Sequence, residues 1–170
     1  DGVDVVIINT CGFIESAKKE SIENILDMAQ LKGEGTIGKI VVTGCLAERY
    51  KEEILTEIPE VDAVVGIGAN GNIVEICKQV LAGETVGKFP PKCEMPMNGK
   101  RILTTPEHYA YLKIAEGCSN NCTYCAIPYI RGPYVSRKME DVLEEAKQLA
   151  NKGIKELIVI AQDTTKYGID

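Results

Sequence analysis

No stretch of this sequence reaches about 18 consecutive apolar residues, which argues against a membrane-spanning helix. The opening residues Asp1-Gly2-Val3-Asp4-Val5-Val6-Ile7-Ile8 have neither a basic segment nor a small-residue cleavage site, so they are not a secretory signal. Histidine occurs once, at His108, which leaves little for a zinc site built from cysteine and histidine. Cations do not prevail: 19 Lys and Arg face 25 Asp and Glu, giving a net charge of −6. No basic stripe emerges, so this segment is not expected to grip nucleic acid directly. Internal repeats and low-complexity tracts are absent as well.

What is present suits a folded α/β protein. Of the 170 residues, 45% are apolar and 26% charged, enough to bury a core and too many apolar groups for a disordered tail. Seven cysteines, an odd number without an export signal, read as reduced thiols or metal ligands in a cytosolic setting. The chain opens inside one buried-strand pattern and stops nine residues after another, so it is expected to be cut at both ends.

Apolar, β-branched runs at Val5–Ile8, Ile40–Thr43 and Ala63–Val65 alternate with amphipathic stretches at Ser16–Leu31, Ala47–Ile58 and Asn72–Leu81. Gly33, Pro59 and Gly83 close these three helices in turn. The βαβαβα order predicts a parallel sheet covered by helices on both faces, with chemistry on the loops leaving the strands' carboxyl ends. Between Gly87 and Glu107, Pro90, Pro91, Pro96, Pro106, Gly99 and the Lys100-Arg101 pair crowd together, as in a linker. A strand at Tyr109–Ile114, a cysteine-rich loop, a helix at about Lys138–Lys152 and a strand at Leu157–Ala161 then form a β-loop-α-β unit. The predicted fold class is therefore α/β: a first domain over 1–86, a linker over 87–107, and the start of a barrel or doubly wound sheet over 108–170.

The strongest chemical signal is Cys118-Ser119-Asn120-Asn121-Cys122-Thr123-Tyr124-Cys125. Three thiols at this spacing can wrap one corner of an iron–sulfur cubane, which normally takes four cysteines. Three ligands leave one iron open, as a catalytic metal site requires. Zinc is the competing reading, as a bound interaction module without catalysis. It prefers two separated Cys-x-x-Cys pairs or a closed Cys/His set.

Cys-x3-Cys-x2-Cys after a first barrel strand resembles the signature of radical S-adenosylmethionine enzymes. That resemblance implies a four-iron cluster on Cys118, Cys122 and Cys125 whose open iron chelates S-adenosylmethionine. An electron would then cleave the sulfonium to a 5′-deoxyadenosyl radical. It also implies that Tyr124, the aromatic residue before the third cysteine, lies near the adenine; packing within the loop is the alternative. Gln162 and Asp163, at the end of the second barrel strand, are implied contacts of S-adenosylmethionine.

Tyr109-Ala110-Tyr111-Leu112-Lys113-Ile114-Ala115-Glu116-Gly117-Cys118 and Ile127-Pro128-Tyr129-Ile130-Arg131-Gly132 narrow the likeness to the methylthiotransferases, which replace C–H by C–S–CH3. Asn9-Thr10-Cys11-Gly12-Phe13-Ile14 and Thr43-Gly44-Cys45-Leu46-Ala47-Glu48-Arg49-Tyr50 are similar to two of the three cysteine motifs of that family's N-terminal domain. Independently of the family, Cys11 and Cys45 each follow the carboxyl end of a predicted parallel strand, on one rim of the sheet. Core cysteines are the alternative. The resemblance makes Cys11 and Cys45 ligands of an auxiliary four-iron cluster whose third ligand would precede this chain. Gly12-Phe13-Ile14, His108-Tyr109-Ala110-Tyr111 and Ala161-Gln162-Asp163-Thr164-Thr165 are similar to the branch that modifies an aspartate β-carbon in a small-subunit ribosomal protein. The other branch modifies transfer RNA adenosine. Ser119 departs from the first branch, which commonly has an acidic residue there. The implied partners are that ribosomal protein and an electron donor, with no membrane. This segment alone is expected to be inactive.

Weaker signals remain. Gly66-Ile67-Gly68-Ala69-Asn70-Gly71 has the form of a dinucleotide fingerprint but follows the third strand without the expected acidic partner, so it reads as a tight turn. Cys77 falls on an apolar helix face and reads as core, and Cys93 matches no motif. Arg131 and Arg137 are candidates to orient S-adenosylmethionine or substrate, against the default of exposed loop arginines.

Overall fold

Isoleucine and valine occupy both faces of Ile40-Val41-Val42, and a strand with no polar face must be covered on both sides. The computed structural model, which describes residues 2–92, 97–99 and 101–170, sets this run inside a four-stranded parallel sheet. The strand order is β1 (Val3–Thr10), β2 (Ile37–Gly44), β3 (Ala63–Val65) and β4 (Val86–Lys88). The connecting helices are α1 (Glu15–Gly33), α2 (Cys45–Glu57) and α3 (Ile73–Leu81). Ile40, Val42 and Val64 pack with Ile25 of α1 and with Leu46 and Ile54 of α2. Their neighbours Val41, Ala63 and Val65 face the other way, onto Ile76 and Val80 of α3. Alternation along the strands thus divides one hydrophobic run between two cores. Each fully buried Ile or Val contributes about 1.5–3 kcal/mol over leaving it exposed.

The βαβαβα order holds and is extended by β4, which takes up Gly87 and Lys88 from the stretch read as linker. A three-residue strand between Gly83 and Pro90 carries no periodicity to read. The chain divides into two compact units, Asp1–Met95 and Pro96–Asp170. Cys93 lies outside the described residues.

In the second unit β5 (Tyr109–Lys113) pairs in parallel with β8 (Glu156–Ile160), and α5 (Met139–Asn151) lies between them in sequence. Ala110 and Leu112 bury one face of β5 against Leu149, Val142 and Ala146 of α5. Two short strands, β6 (Ala115–Glu116) and β7 (Val135–Ser136), pair antiparallel, and α4 (Ile127–Arg131) sits between them in sequence. Two-residue strands leave no periodic pattern in a sequence. Among the described residues, no helix is long and apolar enough to cross a membrane.

Candidate functional site

Thr10 and Gly44 are register partners at the ends of β1 and β2. The residues that follow, Cys11 and Cys45, therefore leave the carboxyl ends of adjacent strands, whose backbones run about 4.8 Å apart. The Thr10 hydroxyl donates to the Thr43 carbonyl at 2.6 Å, fastening the two strand ends together. Gly44 has φ +99°, and a Cβ there would lie 2.3 Å from the Thr10 oxygen, so the turn into Cys45 needs glycine. A Cβ on Gly12 would lie 2.8 Å from Leu46 Cα, which puts the two cysteine turns in backbone contact. The buried Ser21 of α1 accepts the Cys11 N–H at 2.9 Å and donates to the Cys11 carbonyl at 3.0 Å. Arg49 donates to the Gly12 carbonyl at 3.1 Å. Cys11 is exposed, Cys45 half-buried, and neither is in a disulfide.

The glycine-rich stretch after β3 forms a 3₁₀ turn over Ile67–Asn72. Its Ile67 N–H, which a bound phosphate would need, donates instead to the buried Glu48 carboxylate at 3.1 Å. A Cβ on Gly68 would lie 2.5 Å from the Pro91 oxygen, so the chain itself fills the approach. Glu48 also faces Lys51 at 3.7 Å and Lys92 at 3.8 Å. The stretch is a turn, as its sequence predicts, and Glu48, which braces it, carries no signal in the sequence. Cys77 is half-buried against the α3 core, as its helix face predicts.

In the second unit the chain leaves β6 at Glu116, passes through the cysteines and α4, and returns at Gly132 to β7. The Cys118 N–H donates to the Gly132 carbonyl at 3.1 Å, closing the neck of this excursion. At Gly117, with φ +70°, a Cβ would lie 2.0 Å from the Pro133 oxygen. Cys118 is buried, Cys122 exposed and Cys125 half-buried, all as free thiols. The Cys125 N–H donates to the Cys122 carbonyl at 3.0 Å, so these two sit on one turn, which Asn121 enters with φ 51°.

Among the described residues, no three His, Cys, Asp or Glu side chains converge tightly enough to hold one metal ion. A cubane makes a different demand, because its cysteines bind separate irons and stand apart around its corners. Three free thiols on one short excursion, with Lys113 and Arg131 at its neck, are a donor set that fits such an anionic group. His108 stands before β5 and the cysteines beyond its far end, about 16 Å of strand apart. The sole histidine is therefore no partner for them.

Glu116 is 3% exposed, and its carboxylate meets Lys113 Nζ at 2.7 Å and Arg131 Nη1 at 2.9 Å. Burial alone pushes this carboxyl up, but the Lys113 hydrogen bond and the Arg131 charge outweigh it and hold it below the ordinary value. Ser119 Oγ accepts the Tyr134 N–H at 3.0 Å, and Asn120 donates to Asp163 Oδ2 at 3.0 Å. Asp163 also accepts from the Thr165 N–H at 3.1 Å and its hydroxyl at 2.6 Å. These bonds from Thr165 and Asn120 hold its carboxyl below the usual carboxylate range. Gln162 is exposed beside it. Tyr124 stands 90% exposed, so packing within the loop does not account for it.

The arginines depart from the default. Arg137 is buried, donating to the Lys113 carbonyl at 2.6 Å and pairing with Glu145 at 2.6 Å. It joins β5 to α5 and is spent on the fold. Arg131 is engaged with Glu116.

Residues 1–66 match the model described as the uncharacterized protein family UPF0004, and residues 112–170 match the radical SAM superfamily. The chain is 56% identical to a protein of Clostridioides difficile, 56% to one of Thermoanaerobacter sp. and 57% to one of Caldanaerobacter subterraneus. Each alignment takes in 98% of this chain and 38% of the relative, and each relative is named ribosomal protein uS12 methylthiotransferase RimO. The chain thus spans well under half the length of these curated relatives. Among solved structures, the radical S-adenosylmethionine methyltransferase TsrM of Kitasatospora setae superposes with a TM-score of 0.64. That match covers 94% of this chain and 36% of TsrM at 14% identity, a likeness of fold.

Proposed function

We propose, because this chain belongs to the radical S-adenosylmethionine methylthiotransferase family, that the protein carrying it adds a methylthio group to the β-carbon of an aspartate in ribosomal protein uS12. The observation that carries this reading is identity of 56% over nearly the whole chain to relatives named ribosomal protein uS12 methylthiotransferase. The unit built on β1–β4 is then the family's N-terminal domain, and the unit beginning before β5 is the start of the radical domain.

In this reading Cys118, Cys122 and Cys125 hold the catalytic four-iron cluster, and Cys11 and Cys45 hold two corners of an auxiliary one. A four-iron cluster held by the first trio would supply the one-electron chemistry that the family directs at S-adenosylmethionine. The chain's own residues position and shield. Exposed Tyr124 and Gln162 are free to meet S-adenosylmethionine, while Asp163, holding Asn120 and Thr165, orders the loop between the cluster ligands. Orientation of this kind is how a protein contributes when cofactors carry the chemistry. The setting is cytoplasmic, with a separate electron donor.

The test uses the full-length protein, reconstituted anaerobically with iron and sulfide, and a strain lacking it. About four irons should be lost when Cys118, Cys122 or Cys125 becomes alanine. The uS12 aspartate should lack one methylthio group in the deletion strain. A missing methylthio group on transfer RNA instead would move the substrate, and colourless protein holding stoichiometric zinc would end the radical reading.

A further inference from the structure

The cysteine excursion is closed at its neck by a buried charge cluster. Glu116, the last residue of β6, pairs through one oxygen, Oε2, with Lys113 at 2.7 Å and Arg131 at 2.9 Å. Its other oxygen accepts the Gly117 N–H at 3.3 Å. Arg131 ends α4 and directly precedes Gly132, whose carbonyl receives the Cys118 N–H. One carboxylate therefore ties the outgoing chain to the returning chain on either side of the cysteines. Truncating a paired charge this deeply buried leaves the others uncompensated.

The cluster has a second property, its charge. Lys113 and Arg131 bring positive charge to the neck and Glu116 a negative one, and Glu116 lies two residues, at most about 7 Å of chain, from Cys118. Fixed charge near an iron–sulfur centre biases its reduction: a cation favours the added electron and an anion opposes it.

We propose that Glu116 is a positioning residue for the catalytic cluster. It holds the neck that places Cys118 against Cys122 and Cys125, and its carboxylate offsets Lys113 and Arg131 so as to set how readily the centre accepts an electron. This rests on the assignment of that cluster to the three cysteines.

The experiment takes full-length protein, reconstituted anaerobically, and measures iron content and the cluster's midpoint potential for the parent, Glu116→Gln, Lys113→Gln and Cys118→Ala. Glu116→Gln removes a negative charge and should shift the potential positive. Lys113→Gln removes a positive charge from a side chain 35% exposed and should shift the potential negative. A purely architectural network would lower thermal stability in both variants without opposite shifts. Unchanged potentials at full iron content, or shifts of the same sign, overturn the proposal. Where Glu116→Gln does not fold, the sign from Lys113→Gln decides alone. Retention of all iron by Cys118→Ala would instead overturn the cluster assignment, a separate failure.

Discussion

Ser21 holds both polar backbone groups of Cys11, accepting the N–H at 2.9 Å and donating to the carbonyl at 3.0 Å. One hydroxyl on α1 thereby fixes the turn that follows β1 and leaves the thiol facing outward. Ser21→Ala removes both bonds at a 6% exposed position. The expected cost is about 1–2 kcal/mol in denaturant unfolding, with faster hydrogen exchange at the Cys11 amide. Unchanged exchange at that amide would show that the hydroxyl does not hold the turn.

Asp62 supplies a pH dependence. Burial raises its pKa, but hydrogen bonds from Lys32, the Ile40 N–H and Lys39 outweigh that and leave it lowered. A lowered folded value means that Asp62 stabilises the fold fully above its unfolded value of about 3.9 and loses this as pH falls through the folded value. Denaturant stability should therefore drop progressively below about pH 4. Asp62→Asn should be less stable than the parent at pH 7, and the gap should narrow in acid. A gap constant from pH 7 to pH 2 contradicts this.

Gly117→Ala tests the neck. The φ of +70° and the 2.0 Å approach to the Pro133 oxygen leave no room for a methyl group. The substitution is expected to cost more than about 2 kcal/mol and to abolish iron uptake at the neighbouring cysteines. Iron content equal to the parent's would show that the neck can open without consequence.

The cysteines should separate by role. Cys77→Ala, on the α3 core, should cost about 1 kcal/mol and leave iron and sulfide content unchanged. Cys11→Ala and Cys45→Ala should each lower both contents in the full-length protein with little loss of stability. Equal iron loss in all three variants would erase the distinction between core and rim thiols.

Asn120 and Asp163 join the cysteine loop to the segment after β8. Asp163→Ala frees Asn120 and removes the side chain that accepts from Thr165. Hydrogen exchange should quicken at residues 119–121 and 164–166 together. Quickening at 164–166 alone would show that the cysteine loop does not depend on this contact.

Much of this was legible in the residues because long apolar runs have one physical solution. Val41 and Val42 cannot both face water-free surroundings unless helices cover both sides of β2, so the layered first unit followed from a few side chains. As candidate ligands, Cys118, Cys122 and Cys125 stand out by spacing, and Cys11 and Cys45 by their place after strands. What stayed hidden depends on contacts distant in sequence. Ser21 reaches Cys11 only because α1 packs back beside β1. Glu48 looks like any surface glutamate until the turn at Ile67 covers it. Arg137 reads as an exposed loop residue, and only the register of β5 beside α5 reveals it as a buried brace. The two-residue strands β6 and β7 carry no periodicity, yet they form the neck on which the cysteine excursion hangs.

The pairing of Thr10 with Gly44 makes the gap between two thiol-bearing turns a property of the hydrogen-bonded ladder, indifferent to how much polypeptide intervenes. The connecting helix is therefore free to gain or lose whole turns over evolution, at its own cost in packing, without retuning the separation of the two anchor points. A one-residue slip between the same strands would misplace one anchor by about 3.3 Å along the ladder and turn it toward the other face. Such a rim tolerates variation in length and punishes variation in alignment.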